Sequence, residues 1–218
     1  MTRWQRGVGL TALILLLLTL SIFLTINAVW LYRLDIHWLN ISQTVQMAPH
    51  KIMRNYYQML GYLELPWVTD LKMTDFPTSF TGMIHFHDVK KLFLLNNVVL
   101  LLSLYPAGWY FRRLKRYDER WRLIRPMQVA TVVPVVLAAI MAVDFNDFFI
   151  DFHKLLFRNN DWLFDPSLDP IITALPDTFF LHCFILAFVL FEAGLLWLYW
   201  LGRQSFKHVG ETNSQKKN

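Results

Sequence analysis

A chain of 218 residues that is 55% hydrophobic and only 17% charged lies outside the composition of soluble domains, in which about a quarter of residues carry charge. Its net charge of +5 is gathered beside apolar blocks, which reads as membrane topology and excludes a nucleic-acid-binding surface as its explanation. The single cysteine, Cys183, excludes an internal disulfide and a cysteine-rich metal site.

Four apolar blocks follow in order. Between Arg6 and Arg33 lie 26 residues without a charge, and between Lys91 and Arg112 another 20. Arg125 and Asp144 bracket 18, and Asp177 and Arg203 bracket 25 that include only Glu192. A helix that crosses a bilayer needs about 20 apolar residues, and in lipid the backbone must satisfy itself internally. The expected fold is therefore an all-α integral membrane protein with four transmembrane helices, at about 8–32, 92–111, 126–143 and 178–202, in one membrane domain over 1–218. The first block follows Arg3 and Arg6 as a signal peptide would, but its apolar run is too long and Ile26-Asn27-Ala28 is a poor cleavage site. It reads as a retained anchor.

Charge sets the expected orientation. The segment from Arg112 to Arg125 carries seven basic residues against Asp118 and Glu119, and the segment from Asp144 to Asp177 carries seven aspartates against Lys154 and Arg158. By the positive-inside rule both termini and the middle loop are cytoplasmic. The two long loops, 33–91 and 144–177, then face outward. In the first, the segment from Ser42 to Leu63 reads as a helix, its apolar positions from Val45 recurring at helical spacing, with Pro49 limiting or restarting it. In the second, polar groups at Asp144, Asp147, Asp151 and Lys154 alternate with phenylalanines as on an amphipathic helix. Asn96 and Asn97 in the second span could bond neighbouring helices. The polar tail, 207–218, is expected to be disordered.

The chemistry gathers at Ile84-His85-Phe86-His87-Asp88-Val89-Lys90 and at Phe152-His153. His85 precedes Leu92 by seven residues and His153 follows Val143 by ten, so both fall near the outer mouth of the bundle. Two imidazoles can divide acid–base work between them, one taking a proton while the other donates one or steadies an oxyanion. No Gly-x-Ser-x-Gly elbow and no exposed cysteine points to an acyl-enzyme. His37, His50, His182 and His208 read as ordinary interfacial residues. Two other classes fit parts of the pattern: a non-catalytic membrane module that binds or assembles partners through its outer loops, and a zinc-dependent hydrolase using His85, His87 and His153.

Together Asn55-Tyr56-Tyr57, Tyr62-Leu63, Phe76-Pro77 through Ser79, His85-x-x-Asp88-Val89-Lys90, Phe152-His153 and Trp162-x-Phe164-Asp165-Pro166 with Asp169-Pro170 resemble the lipoprotein intramolecular transacylases of Gram-positive bacteria. The resemblance implies a multi-pass enzyme of the bacterial plasma membrane with its active site on the extracellular face. It implies transfer of the sn-2 acyl chain of an S-diacylglyceryl group to the α-amine of a lipoprotein's N-terminal cysteine, giving the lyso form. Diacylglyceryl-modified lipoproteins and membrane lipids are the implied partners, with no nucleic acid, no cofactor and no metal. The catalytic positions are those matched by His85 and His153; which is base and which is acid is left open, with His85 the first choice for base. Asp88, Lys90, Asn146, Asp147, Trp162 and Asp165 are the candidates for holding or orienting substrate. His87 falls where the family needs no histidine.

Overall fold

The computed structural model describes residues 1–215, with side chains through Ser205. The tail expected to be disordered, 207–218, lies outside the residues whose side chains are described. Among the described residues all regular structure is helical: α1 (Arg3–Ile26), α2 (Val29–Trp38), α3 (Ile41–Thr44), α4 (Pro49–Glu64), α5 (Phe80–Arg116), α6 (Ile124–Val143), α7 (Phe145–Leu156), α8 (Ile171–Ala174) and α9 (Asp177–Gln215), with one 3₁₀ turn at Arg120–Leu123. Four segments are long and apolar enough to cross a membrane: Arg3–Ile26, Phe80–Arg116, Arg120–Val143 and Asp177–Ser205.

Some boundaries differ from the expectation. The first apolar helix ends at Ile26, short of residue 32, because Ala28 leaves helical geometry before α2 begins. The 42–63 helix divides into α3 and α4, with Pro49 in the first turn of α4, where its missing N–H costs nothing. The largest difference is α5, which starts at Phe80 and takes the histidine motif into the helix itself.

The chain divides into two compact units. The first comprises 1–24, 98–142 and 185–218. Its interior is narrow, built from Ala12, Leu13, Ala107, Tyr110, Leu114, Met127, Leu195 and Leu198. Small residues let these helices approach: a methyl group added at Gly9 would lie 2.5 Å from the Tyr110 ring. Leu101, Leu102, Val129, Val132 and Val133 are all more than half exposed, the pattern of helices that turn apolar side chains towards lipid.

The second unit, 25–97 and 143–184, has an aromatic interior. Tyr32 and Tyr56 stack at 4.1 Å, and the Phe179 ring meets Tyr32 edge-on at 5.0 Å. The Tyr32 hydroxyl donates to the carbonyl of Ala174 at 2.7 Å, so its one polar group is satisfied inside the core. Burial pushes the Tyr32 and Tyr56 phenols well above their ordinary pKa, and both remain protonated donors. α2, α4, α8 and the beginnings of α5 and α9 close around this cluster.

Candidate active site

The first turn of α5 is tied down on both sides. Ser79 caps it, its hydroxyl accepting from the Gly82 N–H at 2.9 Å. Ser79 is itself gripped by Asp169, which accepts from the Ser79 N–H at 2.7 Å and from its hydroxyl at 2.6 Å. Asp169 is almost wholly buried. A side chain at Gly82 would bring its Cβ to 2.4 Å from Asp169 Oδ1, so only glycine admits this approach. The clamp fixes where His85 enters the interior.

His85 is 8% exposed. Its ring lies 4.9 Å from Phe157 and 5.4 Å from Phe164, both edge-on, and 5.9 Å from His153. The buried Nδ1 has no hydrogen-bond partner, an unusual state for a buried polar atom.

His153 stands on α7, a helix capped by Asp144, whose Oδ1 accepts from the Asp147 N–H at 3.0 Å. Its Nδ1 is 2.7 Å from the carbonyl of Phe149. A carbonyl can only accept, so Nδ1 carries the proton and Nε2 keeps a free lone pair. Phe149 at 4.2 Å and Trp162 at 5.0 Å pack against the ring. Burial holds the His153 imidazole below its ordinary pKa, with the Phe149 carbonyl opposing the shift. The group is therefore neutral at neutral pH.

The remaining candidates separate into two kinds. Asp88 lies one turn beyond His85, and its Oδ2 accepts from Asn159 Nδ2 at 3.2 Å. Trp162 Nε1 donates to the carbonyl of the same Asn159 at 3.0 Å. Asp88 thus holds the loop that sets Trp162 against His153. Lys90, Asn146, Asp147 and Asp165 are not brought to the histidine pair. The Lys90 ammonium donates to the carbonyls of Leu65 and Val68 and lies 4.4 Å over the Tyr62 ring, stapling that turn. Asp165 is exposed and accepts from the N–H and hydroxyl of Ser167, which holds its carboxyl below the usual range. Asn146 and Asp147 are exposed in the first turn of α7.

His85 and His87, two apart on a helix, point about 200° apart and cannot share an ion. Among the described residues no group of three His, Cys, Asp or Glu side chains has a metal-binding arrangement.

Sequence reasoning gave no role to Asn159, named Asp169 only within an Asp-Pro motif, and took His182 for an ordinary interfacial residue. His182 Nδ1 is 2.8 Å from Oδ1 of Asp35, a carboxylate with no exposure. Burial raises the Asp35 pKa, with His182 opposing the shift. A separation of 147 residues leaves no local signal for such a pair.

The helical order and the paired histidines coincide with a match to the family model for lipoprotein intramolecular transacylase Lit, over residues 8–180. This chain belongs to the lipoprotein intramolecular transacylase family. Among solved structures, the membrane-integral transacylase Lit from Bacillus cereus matches at 29% identity with a TM-score of 0.90, covering 96% of this chain and 97% of that one. Two structures of the Bacillus cereus transacylase with one histidine mutated, to arginine or to alanine, match at 28% identity with a TM-score of 0.82. They cover 96% of this chain and 94% and 95% of theirs. No curated protein matches. As a transacylase of this family the chain is a multi-pass membrane protein of lipoprotein modification.

Proposed function

We propose that this transacylase moves the sn-2 acyl chain of a diacylglyceryl-modified bacterial lipoprotein to the α-amine of its N-terminal cysteine, using His153 and His85 without an acyl-enzyme. The observation that carries the reading is the adjacency of two buried imidazoles, 5.9 Å apart. One has its tautomer set by a carbonyl and the other has an unengaged ring nitrogen.

The amine nitrogen attacks the ester carbonyl, forming the C–N bond and placing negative charge on the carbonyl oxygen. His153 Nε2 takes the proton that the attacking nitrogen must lose. The Phe149 carbonyl steadies the imidazolium through Nδ1–H, as an acceptor behind a catalytic histidine does elsewhere. His85 offers its unpartnered nitrogen to the oxyanion or the departing glyceryl oxygen. Collapse breaks the C–O bond, and the proton held by His153 goes to the glyceryl oxygen. The net change moves one acyl group from oxygen to nitrogen and one proton from nitrogen to oxygen, leaving both histidines as they began.

The expected base was His85; the Phe149 carbonyl favours His153 for that role. Donor and acceptor belong to one molecule, so positioning supplies much of the acceleration. Asp88 and Trp162 enter as supports of the aromatic wall. Lys90 enters as a staple of the 65–68 turn. Asn146, Asp147 and Asp165 stay as contacts for the approaching lipoprotein at the surface. The acidic balance of 144–177 supports an extracellular site, with both termini cytoplasmic.

The test is mass spectrometry of N-terminal lipopeptides from a bacterial host that makes diacylated lipoproteins, with and without this chain. Appearance of N-acyl, S-monoacylglyceryl peptides with no change in total acyl mass is expected. An unchanged diacylglyceryl form with a free amine would overturn the assignment.

A further inference from the structure

We propose a second ligand site in this protein, a groove between α2 and α4 that binds the phosphate headgroup of an anionic phospholipid. Arg33, Ile36 and His37 fall at i, i+3 and i+4 on one face of α2; His50, Met53, Arg54 and Tyr57 do the same on α4. These faces line a groove of about 760 Å³. Its lining holds two arginines and two histidines and no acid.

The charges are not all met within the protein. Arg54 is paired with Asp75 at 2.5 Å. Arg33 has no carboxylate partner among the described residues; its Nη2 donates to the Tyr57 hydroxyl at 2.6 Å, which leaves the rest of its fork of donors free. A guanidinium fork beside two imidazoles suits the oxygens of a phosphodiester. Ile36 and Met53 supply an apolar floor, which a free anion would not use and an amphiphile would.

The helix that carries Arg33 also places the groove at headgroup depth. α2 begins three residues after the apolar α1 ends, and its Trp30 and Trp38 are 56% and 65% exposed. Exposed tryptophans flanking a membrane span are the usual mark of the lipid–water interface. Among sources of phosphate, the combination of apolar floor and interfacial tryptophans selects the lipid over a soluble anion. The site shares no residue with the histidine pair, so it stands or falls separately from the acyl-transfer reading.

The experiment measures binding of short-chain phosphatidylglycerol, short-chain phosphatidylcholine and inorganic phosphate to the purified full chain in neutral detergent. Wild type is expected to bind phosphatidylglycerol about tenfold more tightly than phosphatidylcholine, with inorganic phosphate failing to compete at the same concentration. Arg33→Gln should weaken phosphatidylglycerol about fivefold, the effect of one cationic side chain near an anionic lipid, and His50→Gln should weaken it about twofold through loss of one hydrogen-bond donor. Phosphatidylcholine binding should stay unchanged. Because Arg33→Gln also removes the bond to Tyr57, His50→Gln decides if the first variant does not fold. Equal binding of the two lipids, an unaltered His50→Gln protein, or full competition by inorganic phosphate would each overturn the lipid site.

Discussion

At the scale of single residues, the central pair is defined by what each ring lacks. His153 keeps Nε2 free because its proton sits on Nδ1, donated in a hydrogen bond to the Phe149 carbonyl. His85 has Nδ1 unpartnered in a setting dominated by the rings of Phe157 and Phe164. His153→Asn and His85→Asn should each lower turnover by ~10²–10⁴-fold, the usual contribution of a positioned acid or base, with the protein still folded by thermal melting. The pH dependence has a definite sign. Burial lowers the His153 pKa, so its lone pair survives to a pH below the ordinary value of about 6.5 and adds no limb at neutrality, where the substrate's own α-amine, ordinarily titrating at about 7.7–8.0, sets the dependence. Acidification below about 6.5 protonates Nε2, and a further acidic limb should appear in the pH–rate profile. Stability runs the same way. The unfolded chain takes up the His153 proton first, so this group weakens the fold as pH falls from about 6.5 through its lower native pKa. A profile with no limb below about 6.5 beside that of the substrate amine would argue against His153 as base.

At the scale of elements, the site rests on how α5 begins. Ser79, Gly82 and Asp169 form one clamp between the loop that follows Trp162 and the turn that carries His85. Ser79→Ala removes a cap worth about 0.5–2 kcal/mol and frees a buried carboxylate. It should lower the melting temperature and also turnover per folded molecule, because the helix start moves with its histidine. Gly82→Ala should do the same through overlap with Asp169, and a variant that keeps full activity with a lower melting temperature would show the clamp to be structural only. The histidines were legible in the sequence because two short motifs flank apolar runs and carry residue types with proton chemistry. The clamp was not, because Ser79 and Asp169 are 90 residues apart and an Asp-Pro step reads locally as a turn. The helical setting of His85 was also hidden: Ile84-His85-Phe86-His87 alternates as a strand would, and helix geometry prevailed through the cap. For the same reason His87 drops out, since one turn direction cannot serve both rings.

At the scale of the whole molecule, the apolar runs announced four membrane-crossing helices because hydrocarbon thickness imposes a length that composition alone reveals. The two compact units were not readable from those runs, since the aromatic core of residues 25–97 and 143–184 is assembled from contacts between distant segments. The orientation expected from charge is directly measurable. In a Cys183→Ser background, a membrane-impermeant thiol reagent applied to intact cells should label Asn146→Cys and leave Lys115→Cys unlabelled until the membrane is broken. The reverse pattern would put the histidines on the cytoplasmic side and remove the lipoprotein headgroup from their reach.

The rings of Phe149, Phe157, Trp162 and Phe164 that crowd the two imidazoles bear on a competing outcome. The ester carbonyl that the amine attacks is equally open to attack by water, and the enzyme would then be a lipase. A hydrocarbon wall leaves few places for a hydrolytic water to be held, so the amine has little competition. Free fatty acid should accordingly be a trace product during turnover, and opening the wall with Trp162→Ala should raise its share at the expense of the amide.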